Sequence, residues 1–224
     1  MTEHEVWPGE SPADEDDEIE EGDGPEEVEE PDEDEPAADD DDVDEEATPD
    51  PQLRVAGRHA EGELDIPDDI DVLEGEPRSA RRGVGVVVSR FNGEIVNRLL
   101  ESALAELDRV GVAKESITVM AVPGAFELPI GAMALAKTRR YSCIVALGCV
   151  IRGETAHFEY VAGEAASGIQ LAALETGVPV SFGVLTVDTT EQAEARIDKG
   201  AEAVRSALEM ADLFSQLRSA AQGN

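Results

Sequence analysis

Charge divides this chain into two stretches that cannot obey one folding rule. Residues 1–77 carry 35 acidic and two basic side chains, Arg54 and Arg58, for a net charge of −33. Residues 78–224 carry 17 acidic and 15 basic side chains, for a net charge of −2. The first 50 residues hold 27 acids and no Lys or Arg. Their larger apolar residues are sparse, as Val6, Trp7, Ile19, Val28 and Val43, with no spacing of 2 or 3.6. Such a segment cannot bury enough area to offset its ordering entropy, and its charges repel one another. Residues 1–69 are therefore expected to be a disordered acidic N-terminal extension. It either solvates the protein or docks on a basic partner, with Trp7 as an anchor. Adaptation to high salt explains it poorly, because the rest of the chain would then be acidic too.

The 147 residues that follow are enough to bury a full core. A folded domain is expected over 70–218, with 219–224 as a short C-terminal tail. No basic patch is available to neutralise a row of phosphates, so binding of nucleic acid through charge is not expected. No apolar run reaches the 18 or more residues of a membrane helix. The opening Met-Thr-Glu-His-Glu-Val-Trp lacks the basic and apolar regions of a signal peptide. Cys143 and Cys149 lie six apart in one apolar run, where they cannot bridge each other and do not form a zinc spacing. A reduced, cytoplasmic protein without a metal framework is expected.

From residue 84, short β-branched runs alternate with longer amphipathic ones. Val84–Val88, Ile117–Val122, Cys143–Val150 and Val180–Val187 read as strands. The third is apolar throughout, as befits a strand covered on both faces. Glu94 to Val110 places Ile95, Leu99, Leu100, Ala103, Leu104 and Leu107 on one helical face, with Gly111 as its stop. Leu128–Thr138 and Glu159–Thr176 read as further helices, the latter ended by Gly177. Glu191 to about Leu217 reads as one long helical stretch crossed by Gly200. This alternation specifies a parallel sheet with helices on both faces, whose ligands bind at the carboxyl ends of the strands.

Those ends are chemically unusual. Strand one runs into Ser89-Arg90-Phe91-Asn92, strand two into Pro123-Gly124-Ala125-Phe126-Glu127, and strand three into a segment from Gly148 to His157. Phe91 and Phe126 are each either a lid on the core or a surface for stacking a flat heterocycle. Gly153-Glu154-Thr155 precedes a helix, whose free N–H groups and the Thr hydroxyl suit a phosphate; the Glu154 charge opposes one unless only its backbone N–H is used. His157 is the one histidine of the folded part, since His4 and His59 lie in the extension. Beside a helix start an imidazole can move protons, although a lone histidine is as a rule structural. Arg196 and Lys199 are candidate cations for phosphate, and on spacing alone would be solvated charges.

Together these residues resemble the 6,7-dimethyl-8-ribityllumazine synthase family. The resemblance runs from about Ile70 to Leu213 and rests on Arg90-Phe91-Asn92, the run from Pro123 to Pro129, Gly148–His157 with Tyr160-Val161, Gly177-Val178-Pro179-Val180, and Lys199-Gly200-Ala201-Glu202-Ala203. It implies a flavodoxin-like three-layer α/β/α sandwich on a four-stranded parallel sheet. It also implies a reaction without metal or organic cofactor: condensation of 5-amino-6-(D-ribitylamino)uracil with 3,4-dihydroxy-2-butanone 4-phosphate, giving the lumazine, phosphate and water. By the same resemblance Phe91 would stack on the pyrimidine. Ala125, Phe126 and Glu127 would hold the ribityl chain and ring edge, and Cys149, Val150 and Ile151 would line the ring. Glu154 and Thr155 would bind the butanone phosphate, and His157 would transfer protons. Phe182 and Arg196 would come from a neighbouring copy, Arg196 pairing with the phosphate, with Lys199 as a further contact.

The family forms homopentamers, some assembled further into decamers or sixty-subunit shells. In them an N-terminal strand, here Ile70-Asp71-Val72-Leu73-Glu74-Gly75, pairs with the next sheet. Only Ile197 and Asp198 separate Arg196 from Lys199, fewer residues than in many members. Three other readings fit: an archaeal-type riboflavin synthase that dismutates two lumazines, a non-catalytic binder that keeps the ring pocket, and a protein whose main function lies in the acidic extension.

Overall fold

Runs of β-branched residues in the folded part pair side by side, and the two central runs find partners on both sides. The computed structural model describes residues 62, 64–78 and 83–222. Trp7 and nearly all of the acidic extension lie outside these residues. Four strands, β1 (Gly83–Ser89), β2 (Ile117–Val122), β3 (Tyr141–Ile151) and β4 (Val180–Val187), form one sheet in the order β2-β1-β3-β4. All three pairings are parallel. Among the described residues five α-helices accompany them: α1 (Gly93–Arg109), α2 (Leu128–Lys137), α3 (His157–Thr176), α4 (Thr190–Glu194) and α5 (Lys199–Gln222). The fold is the expected four-stranded parallel α/β/α sandwich.

The alternation of side chains along each strand splits the core in two. Val84, Val86 and Val88 of β1 join Cys143, Val145 and Leu147 of β3 against α1 and α5. Val87 of β1 and Ile144 and Ala146 of β3 pack on the other face against α2 and α3. Strand β3 is the longest and is buried over Cys143–Val150, because it is central and covered twice. Strand β2 is an edge strand, with Thr118, Val119 and Ala121 exposed.

Helix stops follow the glycines. Gly111 and Gly177 adopt positive φ, 79° and 64°, which a side chain would resist. The Gly177 N–H closes α3 on the Ala173 carbonyl at 2.9 Å. The helical stretch expected from Glu191 to about Leu217 is two helices, separated by a turn over 195–198. There i→i−3 bonds replace helical ones: Arg196 N–H to Ala193 O, Lys199 N–H to Arg196 O and Gly200 N–H to Ile197 O, at 3.0–3.2 Å. Arg196 thus sits in the turn and Lys199 opens α5. A Cβ on Gly200 would lie 2.2 Å from the Leu99 carbonyl oxygen, so glycine here lets α5 start directly on the backbone of α1. Helix α5 continues to Gln222, through four residues of the stretch read as a C-terminal tail.

Residues 64–78 form no strand within this chain. Their last part lies along α5. The Glu74 carbonyl accepts from Gln216 Nε2 at 3.0 Å, and the Glu76 N–H and the Arg78 guanidinium both donate to the Asp212 carboxylate. Ile70, Val72 and Leu73 are exposed.

Candidate active site

Hydrogen bonding between β1 and β2 does not stop where the strands do. The Arg90 N–H bonds the Val122 carbonyl at 2.9 Å, and the Phe91 N–H bonds the Pro123 carbonyl at 3.1 Å. The tip that carries Phe91 is thereby fixed against the 123–127 loop. Asn92 follows in the left-handed conformation, φ 56° and ψ 42°. Its side chain does not cap α1. Nδ2 instead donates to the Cys149 carbonyl at 2.9 Å, tying the tip of β1 to that of β3.

The 123–127 loop is a self-contained turn. Glu127 Oε2 accepts the Gly124 N–H at 2.8 Å, and a single 3-10 turn over Ala125–Glu127 leads into α2. This buries Ala125 and leaves Phe126 56% exposed. Across the gap, the end of β3 presents Cys149, Val150 and Ile151. The chain then turns through 153–156, and α3 begins at His157. In the first turn of α3 the Glu159 N–H bonds the Ala156 carbonyl at 3.0 Å. The His157 N–H reaches Thr155 Oγ1 at 3.5 Å.

A cavity of about 540 Å³ opens between these tips. Phe91, Ala125, Phe126, Glu127, Cys149, Val150, Ile151, Thr155 and His157 all line it. Its volume is that of a small-molecule site, and its place is the carboxyl edge of a parallel sheet. Phe91, on this wall, is 69% exposed. Burial pushes the Cys149 thiol up to about 11 and the Cys143 thiol up to about 12, so neither supplies a thiolate near neutral pH. The wall therefore combines aromatic surface, backbone groups, one carboxylate, the hydroxyls of Thr155 and Tyr160 and one imidazole, a set suited to holding a polar heterocycle and moving protons on it.

Four expected residues lie elsewhere. Glu154 is exposed in the turn beside the wall. Phe182 stands midway along β4, opposite Ala146, and is 45% exposed. Arg196 donates to the Gln192 carbonyl at 2.8 Å, and Lys199 Nζ pairs with Glu202 Oε2 at 2.6 Å. This chain brings neither cation to its own cavity. Conversely, Asn92, Gly124, Gly153, Phe158, Tyr160 and Val161 share the wall without having been given roles. An asparagine directly after a strand was the one local signal for the first of them, since Asn tolerates the left-handed region.

The fold and cavity define a parallel α/β protein with a small-molecule site at its strand tips. A family model for 6,7-dimethyl-8-ribityllumazine synthase matches residues 82–215. A 6,7-dimethyl-8-ribityllumazine synthase of Yersinia pestis (strain Pestoides F) is 47% identical over 155 residues, covering 66% of this chain and 99% of the relative. One from Yersinia pseudotuberculosis serotype O:1b (strain IP 31758) matches with the same identity and coverage. The chain belongs to the 6,7-dimethyl-8-ribityllumazine synthase family.

Proposed function

We propose that this chain condenses 5-amino-6-(D-ribitylamino)uracil with 3,4-dihydroxy-2-butanone 4-phosphate, releasing 6,7-dimethyl-8-ribityllumazine, phosphate and water. It is a transferase of riboflavin biosynthesis. One observation carries the assignment of the site: residues from separate segments, Phe91, Ala125–Glu127, Cys149–Ile151, Thr155 and His157, meet on one cavity at the strand tips.

The chemistry fits that wall. Amine attack on the ketone, loss of phosphate and ring closure each move a proton. His157, on the cavity wall, takes and returns it. The N–H groups at the start of α3 and the Thr155 hydroxyl accept the phosphate and its developing charge. Phe91 stacks on the pyrimidine, while Ala125, Phe126 and Glu127 hold the ribityl chain and ring edge. Holding two reactants together is itself worth up to ~7–11 kcal/mol, which suits a site with few catalytic groups.

The working unit in this proposal is a homopentamer or a multiple of it. Apolar side chains unpartnered in the single chain support it: Ile130 on α2, Leu171 and Leu174 on α3, and Phe182 on β4 are all at least 45% exposed. A neighbour's Phe182 and Arg196 would complete the cavity, with Lys199 beside them, and the Ile70–Gly75 segment would pair with the next sheet. The acidic extension, with its charge of −33 over residues 1–77, suits a basic partner. The two free thiols fit a reducing cytoplasm.

Mixing purified protein with both substrates and following lumazine fluorescence tests the reaction. Product should form only when both are present, and the rate should fall at least about a hundredfold in His157→Ala. No product from the wild-type chain would overturn the reading, and an unchanged rate in the variant would remove the role given to His157.

A further inference from the structure

Between Cys149 and Gly153, Arg152 alone turns away from the cavity. Its backbone N–H bonds the Val187 carbonyl at 2.9 Å, one step beyond the last β3–β4 rung. Its guanidinium makes three contacts. Nε donates to Asp188 Oδ1 at 2.8 Å, NH1 donates to Glu159 Oε1 at 3.3 Å, and the central carbon lies 4.4 Å from the centroid of the Phe158 ring. Phe158 and Glu159 directly follow His157. One side chain therefore grips both the β4 edge and the first turn of α3, and closes the 153–156 turn at its two ends.

That turn has little else to hold it. Residues 153–156 are exposed, and a Cβ on Gly153 would meet nothing within 4 Å. Asp188 is held in its own right, since its N–H bonds Gln192 Oε1 at 2.8 Å. Each ion pair is exposed and weak alone. What the arrangement supplies is geometry: a planar fork that meets two carboxylates and stacks on a ring, which an ammonium cannot reproduce.

We propose that Arg152, paired with Asp188, is a positioning residue that sets the phosphate-binding turn and His157 against the sheet without touching either reactant. The identity of the reactants rests on the function proposed above; the clamp itself does not.

The test uses full-length wild type, Arg152→Gln, Arg152→Lys and Asp188→Asn, with both KM values, kcat and amide hydrogen exchange measured on each. In Arg152→Gln the KM for the butanone phosphate should rise about tenfold, and the KM for the uracil should change less than about twofold. Exchange should quicken over 153–159 and stay unchanged in α1. Arg152→Lys should stay within about threefold of Arg152→Gln despite keeping the charge. Asp188→Asn, at an exposed position, should move the same quantities in the same direction and serves if the Arg152 variants do not fold. Parallel rises in both KM values, an unchanged KM for the phosphate substrate, or unchanged exchange over 153–159 would overturn the proposal. A wild type that forms no product would overturn the functional reading alone, and the exchange measurement would still decide the clamp.

Discussion

Asn92 and Cys149 are joined across the mouth of the sheet: Nδ2 of the first donates to the carbonyl of the second at 2.9 Å, beyond the last β1–β3 rung at Val88 and Leu147. The side chain acts as one further rung after the backbones have parted. Asn92 forgoes capping α1 and accepts a left-handed backbone to do so.

Substitutions at Asn92 should therefore rank in a particular order. Asn92→Ala loses the bond and keeps the left-handed strain, and should cost about 2–3 kcal/mol. Asn92→Gly loses the same bond and relieves the strain, so it should cost about 1 kcal/mol less. Urea unfolding at fixed protein concentration checks this, and a less stable glycine variant would contradict it.

The close start of α5 on α1 gives a second expectation. In Gly200→Ala the new methyl carbon would lie 2.2 Å from Leu99 O and 3.2 Å from Ala103 N, both backbone atoms. The first turn of α5 must lift, at a cost of about 1–3 kcal/mol. Gly153→Ala, where a Cβ meets nothing within 4 Å, should stay within about 0.5 kcal/mol of wild type. Thermal unfolding of the two side by side distinguishes them, and equal midpoints would contradict the packing described.

Glu106 gives the pH dependence. Its carboxylate, 6% exposed, receives two hydrogen bonds from Arg109 and one from Arg205. The Arg109 bonds are the largest influence and, with Arg205, hold the group below its ordinary 4.5 against the opposing effect of burial. A group depressed in the folded state stabilises fully above its unfolded value and loses that contribution as pH falls through its folded one. The stability gap between wild type and Glu106→Gln should be level from roughly pH 6 to 8 and shrink below about 4.5. Denaturant titrations across that range check it; a gap that widens on acidification would contradict it.

Both thiols are buried, with values raised to about 11 and 12. At neutral pH a disulfide reagent should leave native protein unlabelled for as long as it takes to label the unfolded chain at both cysteines. Rapid stoichiometric reaction of the native protein would contradict the placement of β3.

Much of this was legible because the signals were local. Strands covered on both faces must be apolar throughout, so β3 announced itself. The stops at Gly111 and Gly177 follow from positive φ. The wall residues could be read because strand tips of a parallel sheet converge wherever they fall in sequence. The break over 195–198 was not legible: Ala195, Arg196 and Lys199 are good helix formers, and the cause is tertiary, the seating of Gly200 on Leu99. The role of Arg152 carried no local signal, because its partner Asp188 lies 36 residues away and belongs to the neighbouring strand's end. The exposed face of β2 was hidden too, since Ile117–Val122 is as apolar as a buried strand and only the sheet order places it at the edge.

The most direct test of a cavity finished by an adjoining copy is complementation between two inactive variants. His157→Ala and Arg196→Ala, each assayed alone and then after refolding together in equal amounts, should recover about one quarter of wild-type activity in the mixture. That is the share of random interfaces joining an intact His157 to an intact Arg196. A mixture as inactive as its parents, or an Arg196→Ala variant with full activity alone, would contradict a site shared between copies.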